Sequence, residues 1–193
     1  MKYKTILADP PWPYNSPRAV VGNGGRGSQN GKAKEIIQTD VLAHYSTMSI
    51  EELKQLPIND LAENQSHLYL WTTNSFMVEA HDIAKAWGFT PKTILTWVKT
   101  HHTNAAKPSM KTGYWYRSAT EHIVFAVRGQ LRLKGAATPT AFLLPRLPHS
   151  VKPEYFYELI EQQSEGPFLE LFARRLRQGW DSWGNEIKST INI

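Results

Sequence analysis

An apolar run near the amino terminus, Tyr3-Lys4-Thr5-Ile6-Leu7-Ala8, stops at Asp9-Pro10-Pro11-Trp12. The run reads as a buried strand. Regular structure ends at the prolines, because each fixes φ and lacks a backbone donor. A carboxylate, two carbonyls in a stiff turn and a flat ring therefore stand where a strand leaves a sheet. In open α/β sheets, ligands bind at the carboxyl ends of strands. An ionised carboxylate only accepts hydrogen bonds. Acceptors aimed at one point beside an aromatic face suit a planar base whose exocyclic amino group carries two N–H donors.

The rest of the chain alternates between strand and helix signals. Ser49-Ile50-Glu51-Glu52 is a capping box, predicting a helix to about Leu61 with a break at Pro57. His67–Thr73 is a short apolar strand. Asn74 can cap a helix over Ser75–Trp87, with Gly88 as its stop. Thr93–Lys99 and His122–Val127 read as strands. Pro153-Glu154 opens a helix running to about Gln163. Phe168–Phe172 is a further strand, and Gly179–Trp183 leads into Gly184-Asn185-Glu186. Such alternation predicts an α/β fold with a mostly parallel sheet. The length, 193 residues, suits one domain over 1–193.

Two segments stand apart. Residues 15–43 are rich in Gly, Asn and Ser around Gly22–Gly31. Long loops of this kind are often lids or binding loops, and this one follows the acidic turn directly, so it is a candidate lid. Residues 99–117 interleave cations with rings: Lys99, His101, His102, Lys107, Lys111, Tyr114, Trp115, Tyr116 and Arg117. Phosphate charge and base stacking make this a candidate nucleic-acid contact.

The net charge of +5 and isoelectric point near 9.4 favour a polyanionic partner. No apolar run approaches the ~20 residues of a membrane span. Met1-Lys2-Tyr3-Lys4 enters the first strand directly, so no signal peptide is expected. With 0 Cys, disulfide frameworks and Cys-ligated metals are excluded. A reducing cytoplasm suits such a chain. His101, His102, His122 and His149 include no i,i+4 pair, and no metal is expected.

Several strings, in one order, resemble the DPPW-motif adenine-N6 methyltransferases: the catalytic subunit family of the eukaryotic messenger-RNA enzyme, with its bacterial and phage relatives. They are Ala8–Trp12, Tyr45–Ser49, Leu70–Thr73, Trp87–Phe89, Trp97–Thr100, Gly113–Trp115, Glu121-His122, His149–Pro153, Glu170–Arg174 and Gly184–Glu186. The resemblance covers nearly the whole chain. It implies a Rossmann-like, S-adenosylmethionine-dependent methyltransferase fold with a permuted motif order.

The resemblance implies Asp9, Pro10, Pro11 and Trp12 as the catalytic motif. Asp9 and the Pro10 carbonyl would accept from the adenine amino group, and Trp12 would stack on the base. Lys152 is placed near the methionine carboxylate of the cofactor. Asp9, Glu170, Phe172, Arg174, Asn185 and Glu186 complete the cofactor set, since strand-end carboxylates and amides suit ribose hydroxyls. The chain departs from the pattern twice. Ala173-Arg174-Arg175 stands where many methyltransferases have a glycine-rich loop, and only eight residues precede Asp9.

The expectation is methyl transfer to adenine N6 in nucleic acid, with DNA favoured over RNA by the small, bare catalytic chain. Cytosine-N4 methylation, a catalytically silent nucleic-acid-binding subunit and a small-molecule methyltransferase are the alternatives.

Overall fold

In the computed structural model, residues 1–14, 47–110, 116–148 and 150–193 are described. The expected lid at 15–43 lies outside them. In chain order the elements are β1 (Tyr3–Ala8), α1 (Ile50–Gln55), α2 (Ile58–Leu61), β2 (Ala62–Thr72), α3 (Met77–Ala86), β3 (Thr90–His101), β4 (Asn104–Pro108), β5 (Thr120–Arg128), β6 (Ala141–Pro145), α4 (Glu154–Gln163), β7 (Phe168–Leu171) and β8 (Trp180–Trp183). The eight strands among the described residues join one sheet.

β1 is central. It pairs in parallel with β2 on one side and with β7 on the other. Its alternate side chains enter two cores, as the two-residue period of a strand requires. Ile6 and Ala8 meet Leu53, Ile83 and Trp87 from α1, α3 and the end of α3. Leu7 meets the layer of Phe156 and Ile160 from α4. A strand covered on both faces must be apolar on both, which explains the run Ile6-Leu7-Ala8.

The mostly parallel sheet expected from the sequence is found in β2-β1-β7-β8 and again in the β3–β6 pair, and is interrupted by β5 and β4. β5 lies antiparallel to both β2 and β3. β3 carries β4 antiparallel and β6 parallel. Among the described residues no helix separates β3 from β5, and antiparallel neighbours need no crossover helix. β3 thus runs in the same sense as β1.

The capping box forms as read: the Ser49 hydroxyl accepts from Glu52 N–H, and Glu52 Oε2 accepts from Ser49 N–H at 2.7 Å. Pro57 separates α1 from α2. Asn74 does not cap a helix. It begins a 3₁₀ turn, Asn74–Phe76, and Asn74 Oδ1 meets His122 Nε2 at 2.5 Å instead. Gly88 ends the next helix with φ +83°, and a Cβ there would meet the Arg128 guanidinium.

Three strand readings change. β2 begins at Ala62 because a register irregularity between Tyr3 and Thr5 admits the polar residues before His67. The segment 99–117 is not simply a loop: β3 runs to His101 and β4 pairs back on it. β6 was not read from the sequence; its Ala141–Pro145 run is short and mixed in exposure. No helix among the described residues is long and apolar enough to cross a membrane.

Candidate active site

Strand directions gather the candidate residues at one edge. The carboxyl ends of β1, β2, β3, β7 and β8 meet there, with the amino end of antiparallel β5. Asp9 follows β1, Phe172 follows β7 and Glu121 lies at the start of β5. The chain reaches β2 through helices on one face and β7 through α4 on the other. Such a reversal beside a central strand is where α/β sheets bind ligands.

Asp9 pairs with Lys152, Oδ2 to Nζ at 2.9 Å. Lys152 also reaches Glu121 Oε2 at 3.2 Å, and Glu121 Oε1 bonds the Lys99 ammonium. Charges thus alternate along Lys99, Glu121, Lys152 and Asp9. Lys152 lies 5.0 Å from the centre of the Trp71 ring and Lys99 lies 4.6 Å from that of Trp97. Burial alone would lower the Lys152 pKa, but Asp9 and Glu121 outweigh it and the pKa is raised. Burial opposes ionised Glu121 too, yet Lys152 and Lys99 hold its pKa below the ordinary carboxylate range. Lys152 and Glu121 thus each favour the ionised form of the other.

A cavity of about 370 Å³ opens beside Asp9, with Lys152, Tyr157, Glu170, Phe172 and Arg174 in its wall. Glu170 is buried. Its Oε1 accepts from the Tyr157 hydroxyl at 2.6 Å, while its Oε2 is buried with no partner. Phe172, just after β7, has φ +62°. Its ring packs edge-on against Trp183, 5.3 Å between centroids. Arg174 pairs with Glu186 at 3.4 Å. Glu186 lines the cavity; Asn185 is exposed and outside its wall.

The turn without a glycine-rich loop is built differently. Ala173 N–H donates to the Trp183 carbonyl at 2.9 Å. Gly184 lies so close that a Cβ would stand 2.1 Å from the Ala173 carbonyl oxygen. This contact holds the ends of β7 and β8 together.

Two expectations are corrected, and a third is narrowed. Trp12 offers no open stacking face: it is 5% exposed, stacks on Phe76 at 5.1 Å and donates to the Trp71 carbonyl. It braces the acidic turn against β2. Lys99 is no surface phosphate contact, being 7% exposed and paired with Glu121. The Pro10 carbonyl already accepts from Trp12 N–H at 2.9 Å, leaving one lone-pair direction for a ligand.

Lys107, Tyr116 and Arg117 are exposed, Tyr116 at 97%. Lys111, Tyr114, Trp115, Tyr45, Ser46 and His149 lie outside the described residues. Sequence reasoning missed the parts played by Glu121, Tyr157 and Tyr14. Glu121 was visible only within the motif Glu121-His122, and Tyr157 carried no signal. Tyr14 is exposed, bonds Thr73 through its hydroxyl at 3.0 Å and sits edge-on to Phe76.

The MT-A70 family profile matches residues 3–186. The chain belongs to the MT-A70 family. Among its relatives is the Type II methyltransferase M.MunI of a Mycoplasma species, 30% identical over 96% of this chain and 78% of that one. The Drosophila melanogaster N(6)-adenosine-methyltransferase MT-A70-like protein is 25% identical over 96% of this chain and 27% of its own. The N6-methyladenosine RNA methyltransferase MTA1 of Cryphonectria parasitica is 28% identical, over 96% and 52%. The MT-A70 match begins in β1 and ends on Glu186, so it takes in both the acidic turn and the Gly184–Glu186 turn.

Proposed function

We propose that this MT-A70 chain transfers the methyl group of S-adenosylmethionine to the exocyclic N6 of adenine in DNA, and that it works in the cytoplasm. One observation carries the reading. The Asp9–Trp12 turn opens onto a cavity whose wall holds both the Asp9–Lys152 pair and an unpartnered, buried Glu170 oxygen. The volume lies within the ~300–1,000 Å³ of ligand clefts.

The residues fit the cofactor. The Glu170 oxygen lacks a donor, and a ribose hydroxyl would supply one. Lys152 would present a cation to the methionine carboxylate, and Arg174 and Glu186 would flank the ribose. When bound, the sulfonium supplies an electrophilic methyl group. Asp9 and the free lone pair of the Pro10 carbonyl accept the two amino N–H groups of the adenine. This favours a pyramidal nitrogen whose lone pair leaves the ring plane. Much of the rate then comes from positioning, with Asp9 offsetting the positive charge that develops on nitrogen. Water takes the proton after transfer, when that nitrogen is acidic. Lys152 fixes Asp9, and Glu121 fixes Lys152. The base stacks on the exposed ring of Tyr14, since any base offers a flat face. An adenine in duplex must first be flipped out, at a cost of a few kcal/mol.

DNA is favoured because a relative of which this chain spans 78% is a Type II methyltransferase. The N6-methyladenosine RNA methyltransferase is spanned for only 52% of its length. The absence of Cys suits a reducing compartment. The test is labelled-methyl transfer to DNA and RNA, followed by nucleoside mass spectrometry. N6-methyladenine in DNA is expected, and Asp9→Ala should abolish it while circular dichroism is retained. Label in N4-methylcytosine, label only in RNA, or turnover by folded Asp9→Ala would each replace the corresponding part of the reading.

A further inference from the structure

A second cavity, of about 330 Å³, opens at the carboxyl ends of β3 and β6. Thr100, His101, His102, Ser109 and Arg146 form its polar wall. Among the described residues the wall contains no carboxylate. The Thr100 hydroxyl is buried without a partner, and Thr100 itself is 0% exposed. Ser109 is also buried. Arg146 has no ion-pair partner among the described residues; its backbone N–H is fixed to the Thr100 carbonyl at 2.9 Å.

This donor set selects its ligand. A guanidinium, two imidazoles that can each donate a ring N–H, and two hydroxyls offer many donors. Arginine matches phosphate oxygens in a two-point fork. The complementary ligand is a tetrahedral oxyanion with several acceptor oxygens.

Place identifies its source. β3 runs in the same sense as β1, so this cavity opens at the edge that carries Asp9. The path β3-β5-β2-β1 crosses three strand spacings, roughly 14 Å at about 4.8 Å each. The segment that begins at Arg146 in this wall ends at Lys152 in the first cavity. A nucleic acid with its target base at Asp9 must pass its backbone along that edge.

We propose that this second cavity seats a backbone phosphate of the substrate strand, a short distance from the target adenine. The proposal rests on the reading of the chain as a nucleic-acid methyltransferase. Seating that phosphate fixes where the strand runs when the base enters the first cavity. The Thr100 and Ser109 hydroxyls set depth, and Arg146 supplies the charge.

The experiment uses a strand in which each phosphate in turn is replaced by an uncharged methylphosphonate. Affinities are measured for the parent chain and for Arg146→Gln. On the unmodified strand Arg146→Gln should bind about tenfold more weakly, since hydrogen bonds to charged groups contribute ~1.5–3 kcal/mol. One methylphosphonate position should weaken the parent by a similar factor and leave Arg146→Gln unaffected. Thr100→Val should show the same insensitivity at the same position in part. Unchanged S-adenosylmethionine affinity would show that the variant is folded.

Losses that add at every position would overturn the proposal. So would a site for free phosphate alone: inorganic phosphate perturbing the His101 and His102 ring resonances in the parent but not in Arg146→Gln, with strand affinity equal in both. Failure of the functional reading looks different. The position-specific loss would then persist on a strand that receives no methyl group.

Discussion

Burial raises the Glu170 carboxyl pKa, against the Tyr157 hydrogen bond, and the Asp9 charge adds to the rise. A carboxyl with its folded pKa above the unfolded value binds its proton more tightly when folded. Its stabilising contribution is full below the unfolded value, about 4.3, and is lost as pH rises through the folded value. Ionising Glu170 therefore costs the fold stability. Glu170→Gln keeps the shape and the Tyr157 contact while removing that charge. Melting should rise by about 2–4 °C at pH 7, which is ~1 kcal/mol for a domain of this size, with the gain vanishing near pH 4. Calorimetric titration should show S-adenosylmethionine binding weakened in the same variant. A gain equal at both pH values would assign the effect to packing. Trp12 and Tyr14 separate in a similar way. Trp12→Ala removes a buried ring and should cost about 3–5 kcal/mol of stability. Tyr14→Ala should leave melting unchanged and lower turnover about tenfold, because base stacking on an aromatic contributes ~1–3 kcal/mol. Equal effects of the two on melting would place Tyr14 in the core.

At the scale of elements, the turn after β8 holds the side of the cavity proposed for the cofactor. Gly184 touches the Ala173 backbone, so Gly184→Ala must push the strand ends apart. The Arg174–Glu186 bracket moves with them. S-adenosylmethionine affinity should fall at least tenfold by calorimetric titration, an estimate of ~1.4 kcal/mol, while Asp9 and Lys152 stay in place. Unaltered affinity would show that the bracket does not touch the cofactor. Strand-end chemistry of this kind was partly legible in the sequence. β1, the capping box, the Gly88 stop, α4 and β7 follow from local patterns, because period, cap and turn residues are short-range properties. The charge chain was not legible. Lys99, Glu121, Lys152 and Asp9 lie far apart in sequence, and only strand order makes them neighbours. Trp12 was misread for the same reason: Phe76, which covers its ring, comes from the connection after β2. The 3₁₀ turn at Asn74 likewise depends on His122 from β5.

For the whole molecule, the question is where its +5 net charge acts. A cation that neutralises a phosphate makes binding salt-dependent, whereas one that neutralises an internal carboxylate does not. Lys107 and Arg117 are exposed and form no ion pair among the described residues. Lys99 is buried against Glu121. Both kinds belong to one basic stretch, and their environments assign them opposite tasks. Lys107→Ala with Arg117→Ala should weaken binding to every nucleic-acid sequence tested. It should flatten the plot of log affinity against log salt by roughly two, about one for each cation removed. S-adenosylmethionine affinity should not change, because neither residue lines that cavity. Lys99→Met should do the reverse. It leaves half-buried Glu121 with Lys152 as its remaining partner, so melting or turnover should fall while the salt slope stays with the parent. Breaking one partner of a buried pair typically costs about 3–5 kcal/mol, and Lys152 should hold the loss below that. A Lys99→Met slope reduced as much as that of the double variant would return Lys99 to the substrate surface. A double-variant slope equal to the parent would move the phosphate track off this hairpin and toward the Arg146 side of the same edge.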